Sequence, residues 1–179
     1  INKYNNLYYI FKGKNMAITA SMVKELRERT GLGMMDCKRA LEETGGDLEQ
    51  AIEELRKKSA LKAAKKAGRI TANGLLGLKV SEDRERAAMV EVNIETDFAA
   101  KNEKFIAFVQ KTAGLVFDSE SGDISTVLEA GLDAERETLV QEIGENISVR
   151  RGILVTSDSG GISAYLHGDK RKASLVILS

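Results

Sequence analysis

The alternation of apolar and polar residues in Ala87-Ala88-Met89-Val90-Glu91-Val92-Asn93-Ile94 stops at Glu95-Thr96-Asp97-Phe98. Beyond that point the apolar residues recur at helical spacing, so a strand ends and a helix begins at this corner. Two readings of Phe98 are open at this stage. It is either the first core residue of the helix, or an aromatic held between two rigid elements and presented to a partner at little entropic cost.

The surrounding pattern supports an antiparallel sheet with covering helices. Residues 74–79 and 87–93 read as strands joined by the charged turn Ser81-Glu82-Asp83-Arg84-Glu85-Arg86. Phe105, Ile106, Val109, Ala113 and Val116 trace one helix face that runs to Phe117. Two further helical pieces are expected at 124–132 and 135–143. After them Ile147, Val149, Ile153 and Val155 alternate along a strand whose open face carries charge. The segment from Ile162 to Leu178 echoes that from Leu75 to Ile94: an alternating strand, a charged turn, then a denser apolar strand. In this second copy the sequence stops where a covering helix would start, which leaves Leu175, Val176, Ile177 and Leu178 without a cover. The expectation is an open reading frame truncated at both ends, with C-terminal residues missing.

Upstream lies a helical unit. Thr19 or Ser21 can cap a first helix with Val23, Leu26 and Met22 on its apolar stripe. Gly31-Leu32-Gly33 breaks it, and a second helix from Met34 turns Cys37, Ala40 and Leu41 inward. Gly45-Gly46 supplies a left-handed cap, and Asp47 opens a third helix with Leu48, Ala51, Ile52 and Leu55 inward. Three helices of about ten residues form a mini-bundle with a small core. The stretch SALKAAKKAGR from Ser59 to Arg69 favours helix. With Lys57 and Lys58 it forms a basic cluster, either a solvated connector or a surface that steers toward an acidic partner or RNA.

Composition excludes several classes. Lys plus Arg equals Asp plus Glu at 27 each, which argues against bulk nucleic-acid or membrane-surface binding. No apolar run approaches a membrane span. Cys37 and His167 are the only residues of their kinds, so neither a disulfide framework nor a Cys/His metal cluster can form within one chain, as fits a reducing cytosol. No glycine-rich phosphate loop and no nucleophile with a base is present, so neither an enzyme activity nor a cofactor is expected. Proline is absent, and helix boundaries fall to Gly, Asn, Asp, Ser and Thr.

The run Leu26-Arg27-Glu28-Arg29-Thr30-Gly31-Leu32-Gly33-Met34-Met35-Asp36-Cys37-Lys38-Arg39-Ala40-Leu41 resembles the N-terminal domain of the bacterial translation elongation factor Ts family, a ubiquitin-associated-type three-helix bundle. Thr96-Asp97-Phe98, Ile143-Gly144-Glu145-Asn146-Ile147 and Val149-Arg150-Arg151 resemble the family's core, and Tyr165, His167 and Gly168 match the start of its second subdomain. Similarity runs from Met16 to Leu178. The implied fold class is α+β, with a three-helix bundle over residues 16–59 and a basic helical connector over 60–69. A core subdomain of antiparallel strands and covering helices then occupies 70–155, and 156–179 begins an incomplete second core repeat. Ala99 departs from the family, which usually has valine there and so more apolar contact beside the wedge.

The resemblance implies a guanine nucleotide exchange factor for GDP-bound elongation factor Tu, acting in the cytoplasm without covalent chemistry. Thr96, Asp97 and Phe98 match the family's exchange wedge: the aspartate perturbs the partner's magnesium region and the phenylalanine enters an apolar pocket. Arg27, Met34 and Met35 match positions that grip the partner's GTP-binding domain; loop-and-core packing is the other reading of the two methionines. Ile143, Gly144, Asn146 and His167 match residues near the interface, and His167 also reads as a strand-end residue. No membrane and no direct nucleic-acid partner is implied, and a homodimer would require the missing C-terminal part. The rival from another class is a ubiquitin-associated-type module for ubiquitin-like or nascent-chain partners, resting on the bundle alone.

Residues 1–15, INKYNNLYYIFKGKN, hold three of the four tyrosines and no acidic residue. They lack the apolar core of a secretory signal and the Arg and Ser of a transit peptide. Lys12-Gly13-Lys14-Asn15-Met16 back-translates to a purine-rich tract just before a start codon, as a bacterial ribosome-binding site would. The expectation is an untranslated leader with the native start at Met16. Mass spectrometry of the native N-terminus checks it: a first peptide beginning at Met16 is expected, and one containing Tyr8-Tyr9 overturns it.

Overall fold

The computed structural model describes residues 17–178, so the proposed leader and start at Met16 lie outside the described residues. The chain divides into two compact units, 1–59 and 60–179.

The first unit contains α1 (Ala20–Thr30), α2 (Met34–Glu43) and the first turns of α3 (Leu48–Lys66). Thr19 caps α1, its Oγ1 accepting from the Met22 amide at 3.2 Å. Gly31 closes α1 at φ 72°, a left-handed conformation that costs glycine nothing. Gly46 turns the chain after α2 by donating its amide to the Leu41 carbonyl at 2.8 Å, and Asp47 Oδ1 accepts from the Gln50 amide at the start of α3. Leu26, Leu32, Cys37, Ala40, Leu41, Ala51, Ile52 and Leu55 form the core, with Met22 and Leu48 packed at its margin. Cys37 is fully enclosed and acts as a small hydrophobe. The third helix is longer than its apolar spacing suggested. It runs 19 residues, because the Ala- and Lys-rich stretch after Ser59 carries no helix breaker until Gly68.

In the second unit β1 (Asn73–Val80), β2 (Arg86–Ile94) and β3 (Ile147–Thr156) form an antiparallel sheet in the order β1-β2-β3. On β2, Ala88, Val90, Val92 and Ile94 are buried while Met89, Glu91 and Asn93 are half-buried on the opposite side. The buried row lies under α4 (Glu103–Asp118), which contributes Phe105, Phe108, Val109, Ala113 and Val116 to the same core. Phe108 and Thr112 lie on this inward face as well, making it wider than the sequence stripe. The helix comes close to β1 at Gly77, where an added Cβ would stand 2.7 Å from the Val109 carbonyl oxygen and 3.1 Å from Ala113 Cβ. After α5 (Ile124–Val127) the chain makes a wide helical turn over Leu128–Leu132, kinked where Gly131 takes φ 117°, and continues as α6 (Asp133–Ile143). Leu132, Leu139 and Val140 complete the core.

Between Glu91 and Val92 the register of β2 with β3 shifts by one, leaving Arg150 as the extra residue. A bulge re-aims side chains that would otherwise point to opposite faces. Here it brings both Arg150 and Arg151 onto Glu91, at 2.9 and 2.6 Å. Burial alone would raise the Glu91 carboxyl, but the hydrogen bonds from the two guanidinium groups outweigh it and hold the group below its ordinary range.

β4 (Gly161–Leu166) and β5 (Ala173–Leu178) form a separate antiparallel hairpin. The echo seen in the sequence is a structural duplication. In the β1-β2 turn the Ser81 amide donates to Arg86 O at 2.8 Å and Arg84 adopts φ 62°. In the β4-β5 turn the His167 amide donates to Lys172 O at 2.8 Å and Lys170 adopts φ 56°. Asp83 accepts from the Ser81 hydroxyl and the Glu85 amide, and Asp169 accepts from the Arg171 amide and pairs with His167. These hydrogen bonds lower both carboxyls below the ordinary aspartate value. The two turns also clasp each other: the Ile162 amide donates to Arg84 O and the Leu76 amide to Lys170 O, both at 2.7 Å. Leu76 and Ile162 hold matching positions in the two hairpins, so this is a reciprocal, pseudo-twofold contact. Val176, Ile177 and Leu178 on β5 remain half exposed, at 49%, 53% and 55%.

Gly77→Ala is expected to lower stability by about 1–3 kcal/mol, because the clash is with helix backbone rather than with a mobile side chain. The urea midpoint reads this; an unchanged midpoint would mean that α4 does not press on β1.

Candidate partner-binding site

The corner that follows Ile94 is built from backbone and carboxylates. Thr96 ends the β2 exit and caps a single 3-10 turn over Ala99–Lys101: its Oγ1 accepts from the Ala99 amide at 3.2 Å and its carbonyl from the Ala100 amide at 3.1 Å. Asn102 then caps α4 through the Lys104 amide at 2.9 Å. Ala100 is buried, which directs the neighbouring Asp97 and Phe98 outward. Phe98 is 80% exposed, so the reading of it as the first core residue of the helix is overturned. Lys101 attends both side chains, 3.2 Å from Asp97 Oδ2 and 5.5 Å from the centre of the Phe98 ring.

A second loop braces this corner. Glu145, just past α6, takes the Thr96 amide on Oε2 at 2.9 Å and the Thr96 hydroxyl on Oε1 at 2.7 Å. In return Glu95 Oε1 takes the Asn146 amide at 2.6 Å. Asn146, nearly buried, donates its side-chain amide to the carbonyls of Ala67 and Arg69, at 3.3 and 3.1 Å. Gly144 closes α6 at φ 88° and its carbonyl accepts from Lys66 Nζ at 2.5 Å. Ile143 is half-buried against the core. Thr96, Asp97, Phe98, Ile143, Gly144 and Asn146 therefore gather at one end of the second unit.

His167 is placed differently. It is exposed in the β4-β5 turn, its Nδ1 2.9 Å from Asp169 Oδ1 in the position that Ser81 takes in the first hairpin. Its successors Gly168, Asp169, Lys170 and Arg171 line a groove of about 510 Å³ whose far wall is Asp97, Ala100, Lys101 and Ile106. The Asp97 corner and the second hairpin's turn thus share one opening.

Arg27, Met34 and Met35 belong to the first unit. Together with Ile18, Val23 and Lys38 they line a groove of about 360 Å³ between α1 and α2. Met34 and Met35 are 58% and 69% exposed, which rules out core packing as their role. Flexible thioethers beside a cationic rim suit an adaptable apolar contact.

Glu95 and Glu145 stand within the two motifs quoted above, but the sequence assigns neither a role. Both adjoin residues it singled out, yet periodicity assigns no face to a side chain outside a helix or strand. Among the described residues no helix is long and apolar enough to cross a membrane.

Residues 95–179 match the sequence model of the family described as Elongation factor TS, a range that begins with the braced corner itself. The chain is 57% identical over 163 residues to Elongation factor Ts of Hahella chejuensis, covering 91% of this chain and 56% of that protein. It is 52% identical to Elongation factor Ts of Saccharophagus degradans, over 92% of this chain and 57% of the other. With the protein of the same name from Teredinibacter turnerae it shares 50% identity, over 92% and 56%. The similarity defines a partial-length relative of the proteins named Elongation factor Ts. The chain belongs to the elongation factor Ts family. It spans little more than half the length of the curated relatives it matches.

Met34→Ala and Met35→Ala should change stability by no more than about 0.5 kcal/mol, as exposed positions do, while Leu26→Ala should cost about 2–5 kcal/mol. Thermal denaturation of the three variants checks this; a large loss from either methionine would return it to the core.

Proposed function

We propose that this chain is part of a guanine nucleotide exchange factor for elongation factor Tu, acting in the cytoplasm on the GDP-bound partner. The observation that carries the proposal is the exposed Phe98 ring on a turn fixed from both sides. In this reading Phe98 enters an apolar pocket of the partner's GTP-binding domain, and Asp97 perturbs the region that holds the partner's magnesium ion. The Arg27, Met34 and Met35 groove grips the same domain at another place, while Ile143, Gly144, Asn146 and His167 flank the interface. No bond is made or broken.

The mechanism is thermodynamic linkage: in the ternary state factor and nucleotide weaken each other's binding by the same factor. Each tenfold loss of nucleotide affinity requires about 1.4 kcal/mol of opposing interaction. Burying one phenylalanine contributes about 1.5–3 kcal/mol, so Phe98 alone cannot expel a tightly held nucleotide. Docking elsewhere has to supply the rest, which gives the bundle groove its role. Lys101 is a weak obstacle, since an exposed ion pair such as that with Asp97 is worth about 0–1 kcal/mol.

Phe98→Ala should retain much of the binding to elongation factor Tu and yet slow GDP release by about tenfold or more, as follows from losing a contact made mainly in the exchange state. Release of a fluorescent GDP from purified elongation factor Tu measures it. Unchanged stimulation in the variant would remove the wedge assignment. Recovery of ubiquitin-like proteins or nascent chains instead of elongation factor Tu would favour the rival binding-module reading.

A further inference from the structure

The two carboxylates that meet at the wedge corner do different work from the residues that would touch a partner. Glu95 and Glu145 are neighbours of Thr96 and Asn146 in sequence, and each reaches across to the other's neighbour. Glu145 accepts from the Thr96 amide and hydroxyl, and Glu95 from the Asn146 amide. Both loops are thereby tied by carboxylates to backbone N–H groups, a charge-assisted and directional bond. The anchorage continues inward. Asn146 is nearly buried and holds the carbonyls of Ala67 and Arg69, while the Asn73 side chain donates to the Glu95 carbonyl at 2.9 Å. Outward the chain of bonds runs through Thr96 to the Ala99 and Ala100 amides of the next turn. Between Thr96 and Ala99, Asp97 and Phe98 contact only Lys101 through their side chains among the interactions described above.

We propose that Glu145 is the positioning residue of the exchange wedge: its two-pronged grip on Thr96 sets the direction in which Asp97 and Phe98 leave the β2 corner. This rests on the exchange reading given above and adds a residue that acts through Phe98 rather than on the partner. Geometry favours Glu145 over Glu95 for the role. Glu95 braces the loop of Asn146 and shares its carboxylate with Arg69 at 3.4 Å, whereas both oxygens of Glu145 are committed to the one residue that precedes Asp97. The hydroxyl of Thr96 completes the relay, donating to Glu145 while accepting the Ala99 amide that starts the wedge turn. A hydroxyl can do both at once. Losing the carboxylate frees the Thr96 amide and hydroxyl together, and the turn carrying Phe98 then keeps its local bonds but loses its tie to the loop of Asn146.

The test is a double-mutant cycle on the full chain with GDP-loaded elongation factor Tu, using release of a fluorescent GDP. Glu145→Ala is expected to lower the maximal release rate at saturating factor by about tenfold, the scale of a lost hydrogen bond to a charged group. The half-saturating concentration should move much less. In the Phe98→Ala background the same substitution should have a much smaller effect, because only the contribution of Asp97 is left to misdirect. Thr96→Val, which removes the hydroxyl arm from the other side, should slow release in the same way. An equal slowing by Glu145→Ala with and without Phe98 would overturn the proposal, since it would mean a general loss of structure. So would a normal rate in Glu145→Ala when Phe98→Ala is slow. Should the wild-type chain leave GDP bound as long as buffer does, the exchange reading fails by itself. Amide hydrogen exchange of Thr96 then decides the positioning claim: protection that is lost in Glu145→Ala upholds it, and protection that is unchanged overturns it.

Discussion

The second unit depends on one face of β2 being sealed beneath α4. Ala88, Val90, Val92 and Ile94 are all buried there, and side chains along a strand alternate with a period of two. A slip of one residue would send all four to the open side and bring Met89, Glu91 and Asn93 in. Each large apolar side chain so displaced would forfeit about 1.5–3 kcal/mol, and Glu91 would lose its arginines as well. The register is therefore fixed, and with it the residue at which the sheet lets go. Ile94, paired with Ile147 and Asn73, is the last anchored position. The direction of everything from Glu95 onward is set by that endpoint together with the cap that starts α4.

The same logic explains why the duplicated hairpins carry different sequences on their faces. Their turns are chemically equivalent: an aspartate at the third position, a positive φ at the fourth, and a backbone bond closing the loop. A non-glycine residue at positive φ is uncommon, and its recurrence at Arg84 and Lys170 is explained by the carbonyls of these two residues. Each accepts an amide from the opposite hairpin. The left-handed conformation aims the carbonyl out of its own turn, so the strain is repaid by a bond that ties the two hairpins together. Outside the turns the copies diverge with their environments. Val90 is sealed by α4, whereas Val176, its counterpart on β5, is half exposed.

Much of this was legible from the sequence because it rests on period. The strands around the Ser81–Arg86 turn, the helix from Phe105, the bundle core around Cys37 and the echo of the first hairpin in the second all follow from apolar spacing and turn chemistry. What escaped was set by contacts distant in sequence. The inward turn of Phe108 and Thr112 follows from the breadth of the sheet that α4 covers. The β-bulge at Arg150 was hidden because Ile153, Leu154 and Val155 are all apolar: Val149 and Leu154 pack on the core while Ile153 is exposed, so the alternation expected through Ile153 and Val155 breaks past the bulge. Within the candidate site, the outward direction of Phe98 was undecided until the burial of Ala100 settled it. The carboxylate brace was invisible for a related reason: Glu95 and Glu145 look like ordinary solvated acids, and only the fold brings their loops together.

That brace matters because of the energies involved. Fixing the backbone of one residue costs about 1–2 kcal/mol, so ordering a slack turn from Thr96 to Lys101 at the moment of docking would consume more than one buried phenylalanine can return. A wedge carried on a mobile loop would bind its partner weakly and displace nothing. Here the ordering is complete before any encounter, since the bonds to Glu145, the 3-10 turn and the Asn102 cap are formed in the free chain. In the exchange reading proposed above, the apolar energy of Phe98 is then available to oppose whatever occupies the partner's site. The Phe98 carbonyl accepts from the Lys101 amide within a turn anchored at Thr96 and Asn102, while its ring stays 80% exposed. An interface residue of this kind can be strong only where its neighbours, rather than itself, bear the cost of order.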